Sequence, residues 1–518
     1  MSSIRPRMSL RHRAVTVLGV LVLGAHASAA EPASMTASAE PAAPTADSEF
    51  AVAGQAWSTS EVSGAYAPRD DNTLAGVYEL ALRNDPVLQA AEATYRAGRE
   101  NKWIGLSGLL PQINGTYALN DVEQESRGGF AVGGTVVRND TDSTVDSDEW
   151  SLRLEQPLFD MSAWFDFKRG SKLSDQAQAT FSQAQQDLIV RVVNAYADIL
   201  RAAANLSASR VLEQALAAQL EQVQQRFEVG LVAITDVLDA EAAHDTAIAT
   251  RVADAAALDV ALEILSVITG QQHAAVWGLT DAFPVVDPTP DALDDWIDFA
   301  LANNVDLVVS RIGRDATLAA ARSAASDHLP RLSLNLSRTS GNSDIDQFDL
   351  SNGTTTPFTR DQETDVIGLN VTMPIFTGGR LSAQRRQAYA QYDTSARNYE
   401  TTRRRVTQAT RALYINVKRD VAQTRARARS IASTRSALEA AQVGYEVGTR
   451  NVVDVLIAQR QVFSAMRDHD NSIVDFIQDV VALKRQAGIL TPADIIELDR
   501  FLAPPPAPTA SARAGDTP

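Results

Sequence analysis

Phe227-Glu228-Val229-Gly230 returns 218 residues later as Tyr445-Glu446-Val447-Gly448, and Asp236-Val237-Leu238 returns at the same offset as Asp454-Val455-Leu456. Leu110-Pro111 returns as Leu329-Pro330, at an offset of 219. Between these anchors each copy reads as helix, alternating strand, polar stretch, alternating strand, very long helix, tight turn, helix. A period of this length marks a tandem duplication, and hence an assembly with internal pseudo-symmetry. Gly230 and Gly448 each stand where a long helix must stop, the position suited to a left-handed cap.

The long helices come next. Neither 171–229 nor 380–443 contains Gly or Pro, so each predicts a helix roughly 90–100 Å long at about 1.5 Å per residue. Leu188, Val192, Ala195, Ile199, Ala202 and Leu206 alternate spacings of four and three, and Leu216, Leu220, Val223 and Phe227 resume the pattern. Such spacing makes a narrow seam for a partner helix. After each turn a returning helix is expected over 234–268 and 452–487. The helices before the strands, 73–109 and 291–328, supply the missing half length if they stack end to end on the returning ones.

Four short segments alternate instead with period two. Ile113, Gly115, Tyr117 and Leu119 interleave with polar or small residues, as do Trp150, Leu152 and Leu154. In the second copy Leu332, Leu334 and Leu336 do the same, followed by Ile367, Leu369, Val371 and Met373. Two amphipathic hairpins on a helical core would show this alternation. So would a transmembrane barrel, whose strands need only about ten residues each. The stretches 120–148 and 339–364 are acidic and rich in Gly, Ser, Thr and Asn, and read as external loops. Aromatic residues Phe159, Trp164, Phe165, Phe167 and Phe376 gather at one strand end, as at a membrane interface. Four strands cannot close a barrel, and an open edge in lipid leaves backbone groups unpaired. The chain must therefore pool strands with other copies, giving eight or twelve. Pro111 and Pro330 sit where helix passes into strand, and Pro157 and Pro374 where strand passes back toward helix. Proline cannot donate to a ladder and belongs at such boundaries.

Residues 1–30 read as an export signal. Arg5, Arg7, Arg11 and Arg13 precede an apolar run from Ala14 to Leu23, and small residues then offer cleavage after Ala29 or Ala30. The signal carries four of the 47 basic residues and none of the 64 acidic ones. The mature chain is thus more acidic than the whole, which argues against a nucleic-acid partner. With no cysteine, disulfides, thiolate metal sites, cysteine nucleophiles and a lipid-bearing cysteine are excluded. No P-loop, zinc-protease histidine pair or nucleophile elbow occurs, and His244, His273, His328 and His469 are widely spaced. No enzyme activity and no cofactor are expected. The chain divides into signal (1–30), flexible segment (31–71), first repeat (72–270), linker (271–289), second repeat (290–488) and a C-terminal segment (489–518) ending in a Pro/Ala-rich tail.

With these features the chain resembles the TolC family of outer-membrane efflux and export channels. The resemblance runs from about residue 72 to 490. It includes Gln156-Pro157-Leu158-Phe159 and Met373-Pro374-Ile375-Phe376 with Gly378-Gly379, and is sharpest over 226–237 and 445–456. It implies an α+β membrane protein: a homotrimer giving four strands per chain to one twelve-stranded barrel, continued by an α-helical coiled-coil tunnel into the periplasm. It implies a location in the outer membrane and partners in a periplasmic adaptor protein and an inner-membrane pump or ABC transporter. The cargo, drug, metal or polypeptide, would be chosen by the pump. A periplasmic coiled-coil scaffold without a pore is the rival reading.

The resemblance also assigns residues. Asp454 would face the axis of the closed mouth, three copies forming a carboxylate ring that attracts cations. Asn451 and Asp454 also have N-cap to N3 spacing, so Asp454 has a capping role beside the pore role. Family members known to carry a second Asp three residues later are not matched here, where Ile457 stands, so cation block should be weaker. Tyr445 and Arg450 would tie the inner hairpin to its neighbour, with Thr235 and Asp236 as partners. Gly230, Leu231, Val232, Gly448 and Thr449 would form the tips that meet the adaptor. The arginines of the second long helix read as a solvated face.

Overall fold

The computed structural model describes residues 70–504 other than 281, 351 and 352. The signal read in 1–30, the flexible segment as far as residue 69 and the tail from residue 505 lie outside the described residues.

The first copy contains α1 (Leu74–Asn84), α2 (Pro86–Arg99), α3 (Asn101–Ser107), β1 (Gln112–Val132), β2 (Thr135–Phe159), α4 (Met161–Glu228) and α5 (Ile234–Thr269). After β3 (Gly278–Leu279), the second contains α6 (Leu293–Asn303), α7 (Val305–Ser326), β4 (Arg331–Asp349), β5 (Thr354–Thr372), α8 (Arg380–Glu446) and α9 (Val452–Ala487). α10 (Pro492–Asp499) and β6 (Leu502–Ala503) close the described chain.

β1, β2, β4 and β5 form one antiparallel sheet in that order. Its register is continuous from Gln112↔Glu155 to Val132↔Thr135 and from Arg331↔Thr372 to Asp349↔Thr354. The stretches 120–148 and 339–364 are therefore mostly paired strand, which corrects the reading of them as loops. Apolar alternation marks where a face leaves water, whereas a ladder needs only backbone that can pair. Val122, Val145, Ile345 and Phe358 also stand opposite one another in one cross-strand row. Such facing pairs add roughly 0.2–1 kcal/mol each and help hold the polar half in register. The first hairpin turns on Gly133 and Gly134, both at positive φ (57° and 84°), as a two-residue turn demands.

Toward the helical end, one face of the sheet carries the apolar residues, the face opposite to that of the Val122 row. Ile113, Leu154, Leu336 and Ile367 share a row. From that row the apolar set runs outward along β1 to Leu119 and back along β5 to Val371. Tilted strands require such a slant if the band is to stay level around a barrel. β1 and β5 are the sheet's two edges, and no described strand covers their outer sides. No described helix is long and apolar enough to cross a membrane.

α4 and α8 have 68 and 67 residues and project about 100 Å from the sheet. α5 and α9, of 36 residues each, return along them. The seam holds: Leu188, Val192, Ala195, Ile199, Ala202, Leu206, Leu216 and Val223 are buried, and only at the end is Phe227 exposed. α4 starts ahead of the stretch free of Gly, because Gly170 lies under a backbone crossing. A Cβ there would stand 2.3 Å from the Asn101 carbonyl oxygen.

The helices expected over 73–109 and 291–328 are broken. Asp85 ends α1 and caps α2 by accepting from the Leu88 N–H at 2.8 Å, with Pro86 at the first helical position. Proline disfavours helical backbone in the residue before it. Asn304 accepts from the Leu307 N–H at 3.0 Å and donates to the Gln486 carbonyl at 2.8 Å. Both breaks are capping events, and a stretch read only for apolar spacing hides them.

Halfway down the helices, the linker and the C-terminal segment meet as the β3–β6 ladder. They pack with α1 and α10 on the buried Val192, Tyr196 and Ile199 of α4. The Tyr196 hydroxyl donates to the Trp277 carbonyl at 2.8 Å. Arg191 grips the buried Asp85 through both carboxylate oxygens, at 3.1 and 2.6 Å.

Candidate functional site

The far ends of the two helical hairpins form the candidate site. α4 stops because Gly230 takes φ 75° and α8 because Gly448 takes φ 78°. A Cβ on either would meet nothing within 4 Å. The glycines are thus required by backbone geometry alone, not by space. The Leu231 N–H donates back to the Arg226 carbonyl at 2.9 Å, and the Thr449 N–H to the Gly444 carbonyl at 2.8 Å. The Thr449 hydroxyl also donates to the Gly444 carbonyl, at 3.0 Å.

α9 then opens on a reciprocal cap. The Asp454 N–H donates to Asn451 Oδ1 at 2.9 Å, and the Asn451 N–H donates to Asp454 Oδ2 at 3.3 Å. This is the N-cap to N3 arrangement expected from the spacing. It occupies Asp454 Oδ2, and no described side chain pairs with Oδ1. α5 has no such side-chain cap; Asp236 sits in its first turn, where an acid suits the helix dipole.

Tyr445 joins the two hairpins of one chain. Its ring packs between the Leu216, Val223, Val237 and Leu456 cluster and the smaller Ala441, Val455 and Ala458 cluster. The Arg226 guanidinium lies 4.8 Å from the ring centre. The Tyr445 hydroxyl is buried without a partner among the described residues. Arg226 opens the tip stretch 226–237 that carries the resemblance, but the sequence gives it no role. Its signal is that it precedes the repeated Phe227 motif.

Arg450 lays its Cγ and Cδ over Gly444, where a Cβ would stand 3.1–3.2 Å away. Thr235 is exposed and Asp236 half-exposed. Among the described residues, neither bonds to Tyr445 or Arg450 within the single chain. The fold thus brings Tyr445, Arg450 and Asp454 to one tip and Thr235 and Asp236 to the other.

Leu231 is 73 % exposed at its turn, whereas Val232 packs back on the tip cluster. Val229, Ile234, Leu238 and Val447 are exposed as well. The sequence reading had not singled these out, though together with Leu231 they form an apolar cap on the tips.

At the other end Pro111 and Pro330 precede β1 and β4, and Pro374 follows β5. Pro157 lies within β2, at the register shift against β4. Around this junction Ile375 and Phe376 are 94 % and 87 % exposed, with Phe159, Trp164 and Trp103 also outward. Phe165 and Phe167 are half-buried, and Lys168 lies over the Trp164 and Phe165 rings.

Comparison with known proteins agrees with this architecture. The model of the family "Outer membrane efflux protein" matches residues 77–271 and 296–488. Outer membrane protein TolC of Vibrio cholerae is 33 % identical over 433 residues, covering 83 % of this chain and 93 % of that protein. Alkaline protease secretion protein AprF of Pseudomonas aeruginosa is 29 % identical, covering 82 % of this chain and 87 % of that one. In three dimensions the chain resembles outer membrane protein VceC from Vibrio cholerae with a TM-score of 0.65 at 19 % identity, over 80 % of this chain and 96 % of that one. It resembles the outer-membrane channel OprN with a TM-score of 0.65 at 20 % identity, over 87 % and 98 %.

Proposed function

Because this chain belongs to the outer membrane efflux protein family and is an outer-membrane exit duct of efflux or type I secretion, reaching into the periplasm, we propose that it works as a homotrimer. Each copy contributes β1, β2, β4 and β5 to one twelve-stranded barrel, β5 of one copy pairing with β1 of the next. The observation that carries this is the sheet itself. Its apolar band crosses all four strands in register while both edges stay open. Ile367 is 80 % exposed on the edge strand, and an edge of this kind in lipid must be closed by a partner strand. A pore-free scaffold gives that band no medium to face.

A second unpartnered stripe supports the same assembly. Val252, Val260, Ile264 and Val267 lie exposed along α5, which is acidic apart from Arg251. α8 is strongly basic and exposes Ile415 and much of its arginine. α5 of one copy against α8 of the next would bury the stripe and match the charges.

The two repeats, 72–270 and 290–488, are then six quasi-equivalent units around one axis. Pro111, Pro157, Pro330 and Pro374 mark the junction of barrel and tunnel. At the mouth, Asp454 forms the constriction as a three-carboxylate ring, and Tyr445 and Arg450 hold it shut against Thr235 and Asp236 of the adjoining hairpin. The tips with Gly230, Leu231, Val232, Gly448 and Thr449 receive a periplasmic adaptor, which joins the duct to an inner-membrane pump or ABC transporter that supplies the energy.

The natural chain has no cysteine, so engineered pairs between β1 and β5 give a clean test. Disulfide-linked trimers in detergent, with ion conductance in planar bilayers, are expected. Monomers that pass no current would overturn the proposal.

A further inference from the structure

Two carboxyl groups meet between α8 and α9, well above the tips. Asp420 on α8 is 2 % exposed. Its Oδ1 accepts from Arg419 Nε at 3.0 Å and Nη2 at 2.7 Å, while its Oδ2 is buried with no donor. Asp479 on α9, with about a quarter of its side chain exposed, reaches the same Arg419 Nη2 through its Oδ2, at 3.5 Å.

The surrounding charges do not resolve the conflict. Arg201 on α4 is committed to Asp475 Oδ1 and Gln478 Oε1, both at 2.8 Å, and Gln478 Nε2 donates to Asp198 on α4 at 3.2 Å. Asp475 adds further negative charge near Asp479. On the same two helices Val417, Val421 and Phe476 belong to a buried apolar cluster. One guanidinium nitrogen thus serves two carboxyls, one of which keeps a buried oxygen without a donor, and an ionised carboxylate can only accept. Two carboxyls gathered on one nitrogen repel when both are ionised, and a proton held by one of them relieves that cost.

We propose that Asp420 and Asp479 form a binding site for one proton, which clamps α8 to α9 in the hairpin that carries Tyr445, Arg450 and Asp454. The proton sits on one carboxyl and donates to the other. Burial and then the Asp420 carboxyl push Asp479 up to about 6. The sign follows. In the unfolded chain Asp479 loses its proton near the ordinary carboxylate value, whereas the folded pair keeps it. The clamp's contribution is therefore complete in acid and fades as pH rises through about 6. The site stands on the packing of α8 against α9 and does not depend on the duct reading.

The test uses the assembled full chain in detergent. From about pH 5 to about pH 7 its melting temperature should fall by on the order of 3 °C more than that of Asp420→Asn or Asp479→Asn. In Asp420→Asn a permanent amide N–H replaces the shared proton. An infrared difference spectrum over the same pH range should show loss of a protonated carboxyl, absent from both variants. If Asp420→Asn fails to fold, Asp479→Asn carries both readouts. Equal pH slopes in wild type and Asp479→Asn, or an unchanged carboxyl signal, would overturn the proposal. Conductance that persists while the proton signal is missing would reject the site and leave the duct standing.

Discussion

The guanidinium of Arg226 lies 4.8 Å from the centre of the Tyr445 ring, linking the last turn of α4 to the last turn of α8 within one chain. The two hairpin tips are thus held together before any second copy arrives. This tie uses the ring face and leaves the buried Tyr445 hydroxyl unpartnered.

Replacing Tyr445 by Phe together with Arg450 by Ser should therefore open the duct without loosening the tip core. Each lost tie contributes about 0.5 kcal/mol, so the six ties lost over three symmetric copies shift the closed-to-open balance by roughly a hundredfold. Single-channel recording in bilayers checks this, and unchanged conductance in the double variant would count against the gate. Arg226→Ala should instead loosen the tips by about 0.5–1 kcal/mol, seen as faster hydrogen exchange at the ends of α4 and α8.

Asp454→Asn should lower the preference for cations over anions. The Asn451 half of the cap survives, because it receives the backbone N–H of residue 454, so the helix start loses at most about 1 kcal/mol. Reversal potentials in asymmetric salt provide the measurement. Unaltered selectivity in a protein that still assembles would remove Asp454 from the pore.

Leu369 and Asn370 are neighbours on β5 with opposite fates. Leu369 belongs to the apolar face, opposite Leu334, and Asn370 to the other, opposite Ser333. Leu369→Arg should cost about 2–4 kcal/mol per copy in the bilayer and reduce the yield of folded trimer. Asn370→Arg should assemble normally and alter conductance instead. Equal tolerance at both positions would contradict the assignment of lipid and lumen faces.

Asp85→Ala should be among the most destabilising single changes away from the sheet. It leaves Arg191 without its two charge-assisted bonds and the Leu88 N–H without its cap. Removing one partner of a buried pair costs about 3–5 kcal/mol, and here the lower end applies because Arg191 is about one-third exposed. Denaturant melting checks the loss. Adding Arg191→Met to Asp85→Ala should recover part of it, which separates the stranded charge from the lost cap.

Helix ends that carry their own chemistry were legible in the sequence. Gly448, and Asn451 with Asp454, bracket the second turn as read, and α9 spans Val452–Ala487 as expected, since each signal acts within four residues of itself. The polar halves of the strands were not legible. Nothing local distinguishes Asp140–Asp148 as strand rather than loop. Only the ladder to β1 and the Val122–Phe358 row, drawn from four separate segments, make it so. Of the candidate site, the tip residues were found by repetition, but the Arg226–Tyr445 contact joins positions over two hundred residues apart in the chain and leaves no periodic trace.

By itself the sequence determined the duplication, the two projecting hairpins and the apolar-polar parity of the strands, and it raised the expectation of further copies. All of these rest on local repeats of spacing and on backbone groups that demand partners. Only the tertiary structure decided how far the strands run, where the shorter helices break, and that Asp420 and Asp479 share Arg419. Those outcomes depend on which distant segments become neighbours, and a buried polar group takes its meaning from the neighbour it is given.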